Sequence, residues 1–354
     1  MRKGITAPAI AICLIACGMC FNACEAKKQD SGAYDKAMAA LYSGDHELAF
    51  NEFKKAADND GREAEGYRGE GLVYYEEGDY EHAIMMFDLS LDKMKYENKK
   101  FEEDVKLYKA DAFIKNGDED SAAVIYAELE ESDSAYIAYA RQGEIFLKQN
   151  DREKAAEYFE KSLTAKQDIE TCLYIYESYK SVNLEGDGSK YLEKAIKMTP
   201  SDKEDYVNIG LAYEYLEDFD NAVSSFNTAI DQGCDEAVDE LGRLYLDKGD
   251  VPAAKSLYTN NLKQGKNIAA AYNGLAMCAI KESNYDSTLT YVEQGLSCGD
   301  QNENKDLLFN EIIAYEYKLD FDTAKQKTEA YLGIYPDDEK AINEYKFLSH
   351  GTIS

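Results

Sequence analysis

His46, His82 and His350 are the only histidines in 354 residues, so acid–base chemistry near neutral pH has few side chains to work with. A nucleophile needs a base within hydrogen-bond reach, and none of these histidines stands beside a Ser, Cys or carboxylate arrangement of that kind. Calcium chemistry fails on ligand spacing. Asp58, Asp60 and Gly61 fit a calcium loop, but Ala56 takes its first ligand position and Tyr67 its last, which removes the bidentate acid. The run from Asn183 fails in the same way at Lys194. No Gly-rich phosphate loop with its Lys and Ser/Thr occurs. The 69 Asp and Glu residues make carboxylate pairs by abundance alone, so no catalytic dyad follows from them. The reading is a protein that is not an enzyme, with no cofactor and no metal site.

Cysteine chemistry is concentrated at the N-terminus, where residues 1–24 hold half of the eight cysteines. The segment opens with Arg2 and Lys3, runs apolar from Ile5 to Phe21 and turns polar at Glu25. A basic start and an apolar run of this length predict a secretory signal and not a spanning anchor. Leu14-Ile15-Ala16-Cys17 resembles a bacterial lipoprotein lipobox, in which a small residue precedes the cysteine that becomes lipid-modified. The resemblance implies lipid attachment at Cys17. Phe21-Asn22-Ala23-Cys24 is the alternative: it sits better at the end of the apolar run, but Asn is unusual before the small residue. A plain secretory signal whose cysteines are just small apolar residues is the third reading. Residues 25–32 then form a short polar tether, and the implied location is the extracytoplasmic face of a bacterial cell membrane, or outside the cell. Cys172, Cys234, Cys278 and Cys298 lack CxxC spacing, so isolated thiols are expected in the remainder.

The elements that position any binding surface are clearest between Lys203 and Asp235. Tyr206, Ile209, Gly210 and Tyr213 recur at i, i+3, i+4 and i+7, the stripe of one helix, and Ala222, Phe226 and Ala229 form that of a second. Glu217-Asp218 supplies the turn, with Asp218 placed to cap the second helix. Small Gly210 and Ala222 mark where two helix backbones come close, and the aromatic residues fill the space around them.

The same pattern recurs. Small first-helix residues reappear as Gly71, Ala110, Gly143, Gly242 and Ala276, and second-helix Ala as Ala49, Ala83, Ala122, Ala155, Ala254 and Ala324. Four residues further on stand Phe53, Phe87, Tyr126, Phe159, Tyr258 and, exceptionally, Thr328. Gly44-Asp45, Gly78-Asp79, Gly117-Asp118, Asn150-Asp151 and Gly249-Asp250 repeat the turn. Most spacings lie between 32 and 36 residues. This period, with Tyr67-x-x-Glu70-Gly71-x-x-Tyr74 followed by Ala83 and Phe87, resembles the tetratricopeptide (TPR) repeat family, and Pro200 and Pro336 match its closing proline. The resemblance covers about residues 30 to 336 and implies an all-α, right-handed α-solenoid of about nine helical hairpins. The expected organisation is a signal region at 1–24, a tether at 25–32, the solenoid at 33–336 and a capping helix with tail at 337–354. Three units depart from the pattern. Gly188 replaces the second-helix Ala beside a loop-like run from Asn183 to Ser189, and Thr288 and Thr328 stand at small or aromatic positions.

A formal net charge of −30 repels phosphate backbones and anionic lipid surfaces, so nucleic acid is not an expected partner. The acidic residues either only solvate outer helix faces or select a basic partner. TPR resemblance further implies a concave groove, lined by first helices, that holds a protein or peptide. The stripe beside the core stripe supplies its expected residues: Leu72, Tyr75, Leu107, Ile114, Leu147, Val207, Leu211, Tyr215, Arg243, Met277, Ile280, Phe309, Ile313 and Tyr317. The Lys and Asn pair with which chaperone-binding members grip a terminal carboxylate is missing; Val207 and Leu211 stand there in one unit, Leu107 and Asp111 in another. The leading functional reading is a lipid-anchored extracytoplasmic interaction scaffold. A carbohydrate- or wall-binding module, suited by 29 tyrosines, and a scaffold with unrecognised enzyme activity are the competitors.

Overall fold

The computed structural model describes residues 32–59, 61–299, 301–336 and 338–350. Among them are 19 helices and no strand. The signal region with Cys17 and Cys24, and the tether up to residue 31, lie outside the described residues. The helices pair in order: α1 (Ala33–Tyr42) with α2 (His46–Asn59), α3 (Glu63–Glu76) with α4 (Tyr80–Asp92), α5 (Lys99–Lys115) with α6 (Glu119–Glu128), α7 (Ala135–Lys148) with α8 (Arg152–Ala165), and α9 (Ile169–Ser181) with α10 (Glu185–Ala195). Then come α11 (Lys203–Tyr215) with α12 (Phe219–Asp231), α13 (Glu236–Asp247) with α14 (Val251–Gln264), α15 (Ile268–Lys281) with α16 (Tyr285–Leu296), and α17 (Gln301–Tyr317) with α18 (Phe321–Ile334). A single helix, α19 (Glu339–His350), follows. The chain divides into two compact units, residues 1–200 with 215–217 and residues 201–214 with 218–354.

Each hairpin is fixed by the repeating residues. At the turns, Gly78, Gly117 and Gly249 have φ of 78°, 84° and 77°, a left-handed conformation that glycine adopts without strain. The next residue caps the second helix: Asp79, Asp118, Asp151, Asp218, Asp250 and Asp320 each accept a hydrogen bond from the backbone N–H three residues on. Ala49, Ala83, Ala122, Ala155, Ala222, Ala254 and Ala324 are all fully buried, as are Phe53, Phe87, Phe159 and Phe226. The first-helix glycine exists to admit that ring. A Cβ on Gly143 would stand 2.6 Å from the Phe159 ring, and one on Gly210 would stand 2.6 Å from that of Phe226.

The departures have physical reasons. The chain from Glu185 to Ser189 is helix, correcting the loop-like reading; only Val182 to Leu184 connect α9 and α10, with Asn183 left-handed at φ 60°. Gly188 lies against Tyr179, whose Cβ would be 2.8 Å from an added methyl. Tyr191 supplies the missing aromatic instead, fully buried and stacked on Tyr179 at 5.9 Å. Thr288 and Thr328 are fully buried because their hydroxyls donate to the carbonyls of Asn284 (3.2 Å) and Ala324 (2.8 Å) on their own helices. His82 is exposed as expected, whereas His46 is half-buried, 3.8 Å from Glu77.

The last helix packs inward with Ala341 and Leu348. Asp338 caps it by accepting from the Ala341 N–H at 3.0 Å, and also accepts from the Tyr331 hydroxyl at 3.0 Å. From the same helix the Glu344 carboxyl hydrogen bonds to that of Glu316 on α17. Burial first, and Glu344 second, push the Glu316 value up to about 8. The pair therefore shares a proton, and its stabilising effect is complete below the ordinary carboxylate value and lost as pH rises through about 8. The thermal midpoint of the C-terminal helices is expected to fall between pH 6 and pH 9, and Glu316→Gln to flatten that fall. An equal slope in the variant would assign the effect to other groups.

Candidate functional site

The stripe expected to contact partners is largely taken up by packing. Leu72, Tyr75, Leu107, Leu147 and Val207 are buried. Leu72 and Tyr75 join a cluster with Val105 and Ala112 of the following first helix, and Leu107 one with Ile137 and Ala138. Successive first helices lie side by side, so a residue leaning toward its neighbour is covered by it. Val207 is covered in the same way by Ala237 and Leu241. Ile114, Leu211, Tyr215, Arg243, Met277, Ile280, Phe309 and Ile313 are half-buried, and Tyr317 is 60% exposed. Arg243 is held by Glu214 at 2.9 Å and Glu240 at 2.6 Å.

What the sequence reading missed is a polar ladder linking first helices of the N-terminal unit. Arg68 on α3 pairs with Asp104 on α5, and the Tyr75 hydroxyl donates to Asp111 Oδ2 between the same two helices. From α7, the Arg141 guanidinium reaches Asp111 Oδ1 (3.5 Å), donates to Tyr174 Oη on α9 (2.9 Å) and stands 3.6 Å from Glu144 Oε2. The Tyr174 ring lies under the guanidinium, 4.7 Å away, a cation–π contact strengthened by desolvation. The Tyr174 hydroxyl donates to Glu144 Oε2, and Lys148 Nζ donates to Glu144 Oε1 at 2.8 Å.

Burial opposes the charge on Arg141, but Tyr174, Asp111 and Glu144 outweigh it and hold the guanidinium well above its ordinary value. Burial likewise acts to raise Glu144, yet Arg141 and Lys148 bring it below the usual carboxylate range. Burial pushes the Tyr75, Tyr126 and Tyr174 phenols up. All three stay protonated, and Tyr75 and Tyr174 act as donors.

The ladder forms one wall of a cavity of about 260 Å³ on the first-helix face of α5, α7 and α9. Asp111, Ile114 and Lys115 come from α5; Arg141, Glu144, Ile145 and Lys148 from α7; Tyr174, Glu177, Ser178 and Ser181 from α9. Tyr126 reaches in from α6. Within the ladder Arg141 is paired with Asp111 and Glu144, and Lys148 with Glu144. Paired groups held this way can bind and orient a ligand. Among the described residues no three His, Cys, Asp or Glu side chains converge as metal ligands. The described cysteines are free thiols, and burial pushes Cys172 up to about 12 and Cys278 up to about 11, which leaves both unreactive.

Paired helices with small-on-aromatic contacts, repeated along the chain, define a helical-repeat interaction scaffold. A tetratricopeptide repeat model matches residues 34–93, 107–168 and 240–302, just over half of the chain, and a second tetratricopeptide repeat model matches residues 206–232. The chain belongs to the tetratricopeptide repeat family. No curated relative matches it. Among solved structures it is similar to the Cut9–Hcn1 hetero-tetramer of APC/C (14% identity, 89% of this chain and 83% of that one, TM-score 0.39). It is also similar to PilW, a type IV pilus biogenesis factor (14% identity, 61% and 99%, TM-score 0.43). A third likeness is to the TPR domain of P58(IPK) (16% identity, 90% and 96%, TM-score 0.28).

Proposed function

We propose that this protein is a lipid-anchored, extracytoplasmic scaffold that holds a protein partner on the first-helix face of its N-terminal unit. The observation that carries the reading is the shared cavity: three successive first helices converge fixed polar groups on one concavity of about 260 Å³. Its lining is mostly charged and hydroxyl-bearing, with Ile114 and Ile145 as the aliphatic contacts, and ordered polar groups of this kind fix a ligand's orientation. Ile114 supplies an adjacent apolar contact that is only half-buried. In the C-terminal unit Met277, Ile280 and the exposed Tyr317 offer further contacts. The charge of −30 biases the partner's surroundings toward basic or neutral segments. The lipobox-like Cys17, with Cys24 as the alternative, supports the membrane anchor.

One experiment on intact cells tests both halves. Cys17→Ser is expected to abolish incorporation of labelled fatty acid while Cys24→Ser leaves it unchanged. Reversal moves the lipid to Cys24, and labelling unaffected by either change removes the anchor. Ile114→Glu is expected to weaken capture of partner proteins by on the order of 1–2 kcal/mol, with helicity by circular dichroism unchanged. Undiminished capture would remove this face as the binding surface.

A further inference from the structure

We propose that the cavity between α5, α7 and α9 takes the uncharged carboxamide of a partner's Asn or Gln side chain, with the Tyr126 hydroxyl donating to its carbonyl oxygen. The inference rests on the reading that an extended protein segment binds this face.

The first observation is a hydroxyl that packing does not use. Tyr126 is 1% exposed, it lines the cavity, and its Oη is buried without a hydrogen-bond partner. Buried polar groups in native proteins are almost always paired, because an unpaired one keeps its full desolvation cost. The equivalent second-helix position holds Phe53, Phe87, Phe159 and Phe226 in four other repeats, each fully buried, and a second tyrosine, Tyr258, in a fifth. A phenyl ring therefore fills this position, and the hydroxyl at 126 is surplus to the core. An acceptor entering the cavity that Tyr126 lines would satisfy it.

Charge decides what kind of acceptor that is. The lining carries three carboxylates, Asp111, Glu144 and Glu177, against three cations, Lys115, Arg141 and Lys148. The deepest are already paired: Arg141 is satisfied by Tyr174, Asp111 and Glu144. A charged guest would lose its hydration and meet no net countercharge. An uncharged guest loses less.

Acceptors complete the match. Ser178 Oγ donates to the Tyr174 carbonyl at 2.9 Å and Ser181 Oγ to the Ser178 carbonyl at 2.8 Å. Both hydroxyl protons are thus committed inward, and the oxygens keep lone pairs that can accept. One donor beside two acceptors complements a carboxamide, which offers one carbonyl oxygen and an NH2 group. The volume of about 260 Å³ lies below the range of whole small-molecule sites and suits a single side chain of an extended segment.

The test is selection of random, unstructured peptides on a display library with the full mature chain. Selected peptides are expected to share Gln or Asn at one position, and Tyr126→Phe to weaken such a peptide about tenfold, the effect of one hydrogen bond. The same variant should leave the Gln→Met version of that peptide unchanged, which isolates the contact as a double-mutant cycle. Because the lost hydroxyl has no partner, Tyr126→Phe is expected to keep or raise the melting temperature. A fall in melting temperature would show a structural role and overturn the inference. Peptides that lose affinity with Ile114→Glu but carry Lys, Glu or an apolar residue at the shared position, or ignore Tyr126→Phe, overturn the inference and leave the protein-binding face standing. If no selected peptide responds to Ile114→Glu, both readings fall. Binding of N-acetylglucosamine that depends on Tyr126, without peptide binding, assigns the cavity to sugar and overturns the inference as well.

Discussion

Arg141→Met is expected to destabilise the helices α5 to α9 by about 3–5 kcal/mol, because it leaves the buried Asp111 carboxylate without its counter-ion and takes from Glu144 one of its two, Lys148 being the other. Arg141 is 6% exposed and Asp111 is 4% exposed, so water cannot replace the guanidinium. Met fills much of the lost volume, which confines the effect to charge and hydrogen bonding. The measurement is amide hydrogen exchange, since a repeat array does not unfold in one step and a single midpoint would average the loss. Combining Arg141→Met with Asp111→Asn and Glu144→Gln removes the stranded charges, and a substantial part of the stability is expected to return. Arg243→Met provides the contrast. Its side chain is 28% exposed, so its ion pairs with Glu214 and Glu240 are screened and about 1 kcal/mol is expected. Equal losses at both arginines would mean that burial does not set the strength of the ladder. A loss under about 1 kcal/mol at Arg141 would mean that the carboxylates are hydrated.

The hairpins were legible in the sequence because their determinants lie close together along the chain. Asp118 and Ser121, or Gly143 and Phe159, encode cap and contact within one repeat, and the structure uses them as their spacing predicts. The first-helix face was much less legible. Whether Leu107 faces a groove or a neighbour depends on how α5 rotates against α7, and heptad-like spacing within one helix carries no information on that angle. The run Asn183 to Ser189 misled for a related reason: two glycines in five residues read as a loop, whereas Gly188 is there to admit Tyr179. The ladder did leave a trace. Arg68 and Asp104, like Tyr75 and Asp111, are separated by 36 residues, about one repeat, and complementary pairs at repeat spacing are what a search could use. With 69 acidic residues, though, many such pairs arise by chance. Only the structure separates Arg141, walled in by Tyr174, from a solvated arginine.

Phe226→Ala is expected to cost about 3–5 kcal/mol, the range for removing a fully buried aromatic side chain when its surroundings collapse only in part. The ring has 0% exposure and lies over Gly210, which has no side chain to move into the space. It also joins Cys234, Ala237 and Leu241 of the following hairpin in one cluster, so its loss loosens two interfaces together. Phe226→Leu keeps more of the volume and is expected to cost less, by 1 kcal/mol or more. In an array whose repeats touch mainly their neighbours, the added exchange should appear in α11, α12 and α13 first and fade along the chain. Exchange that rises by the same factor in α2 and α18 as in α12 would show one cooperative body and would remove the nearest-neighbour account of this fold. Restricted loosening, with α2 and α18 still protected, ties the stability of each binding surface to its own aromatic plug.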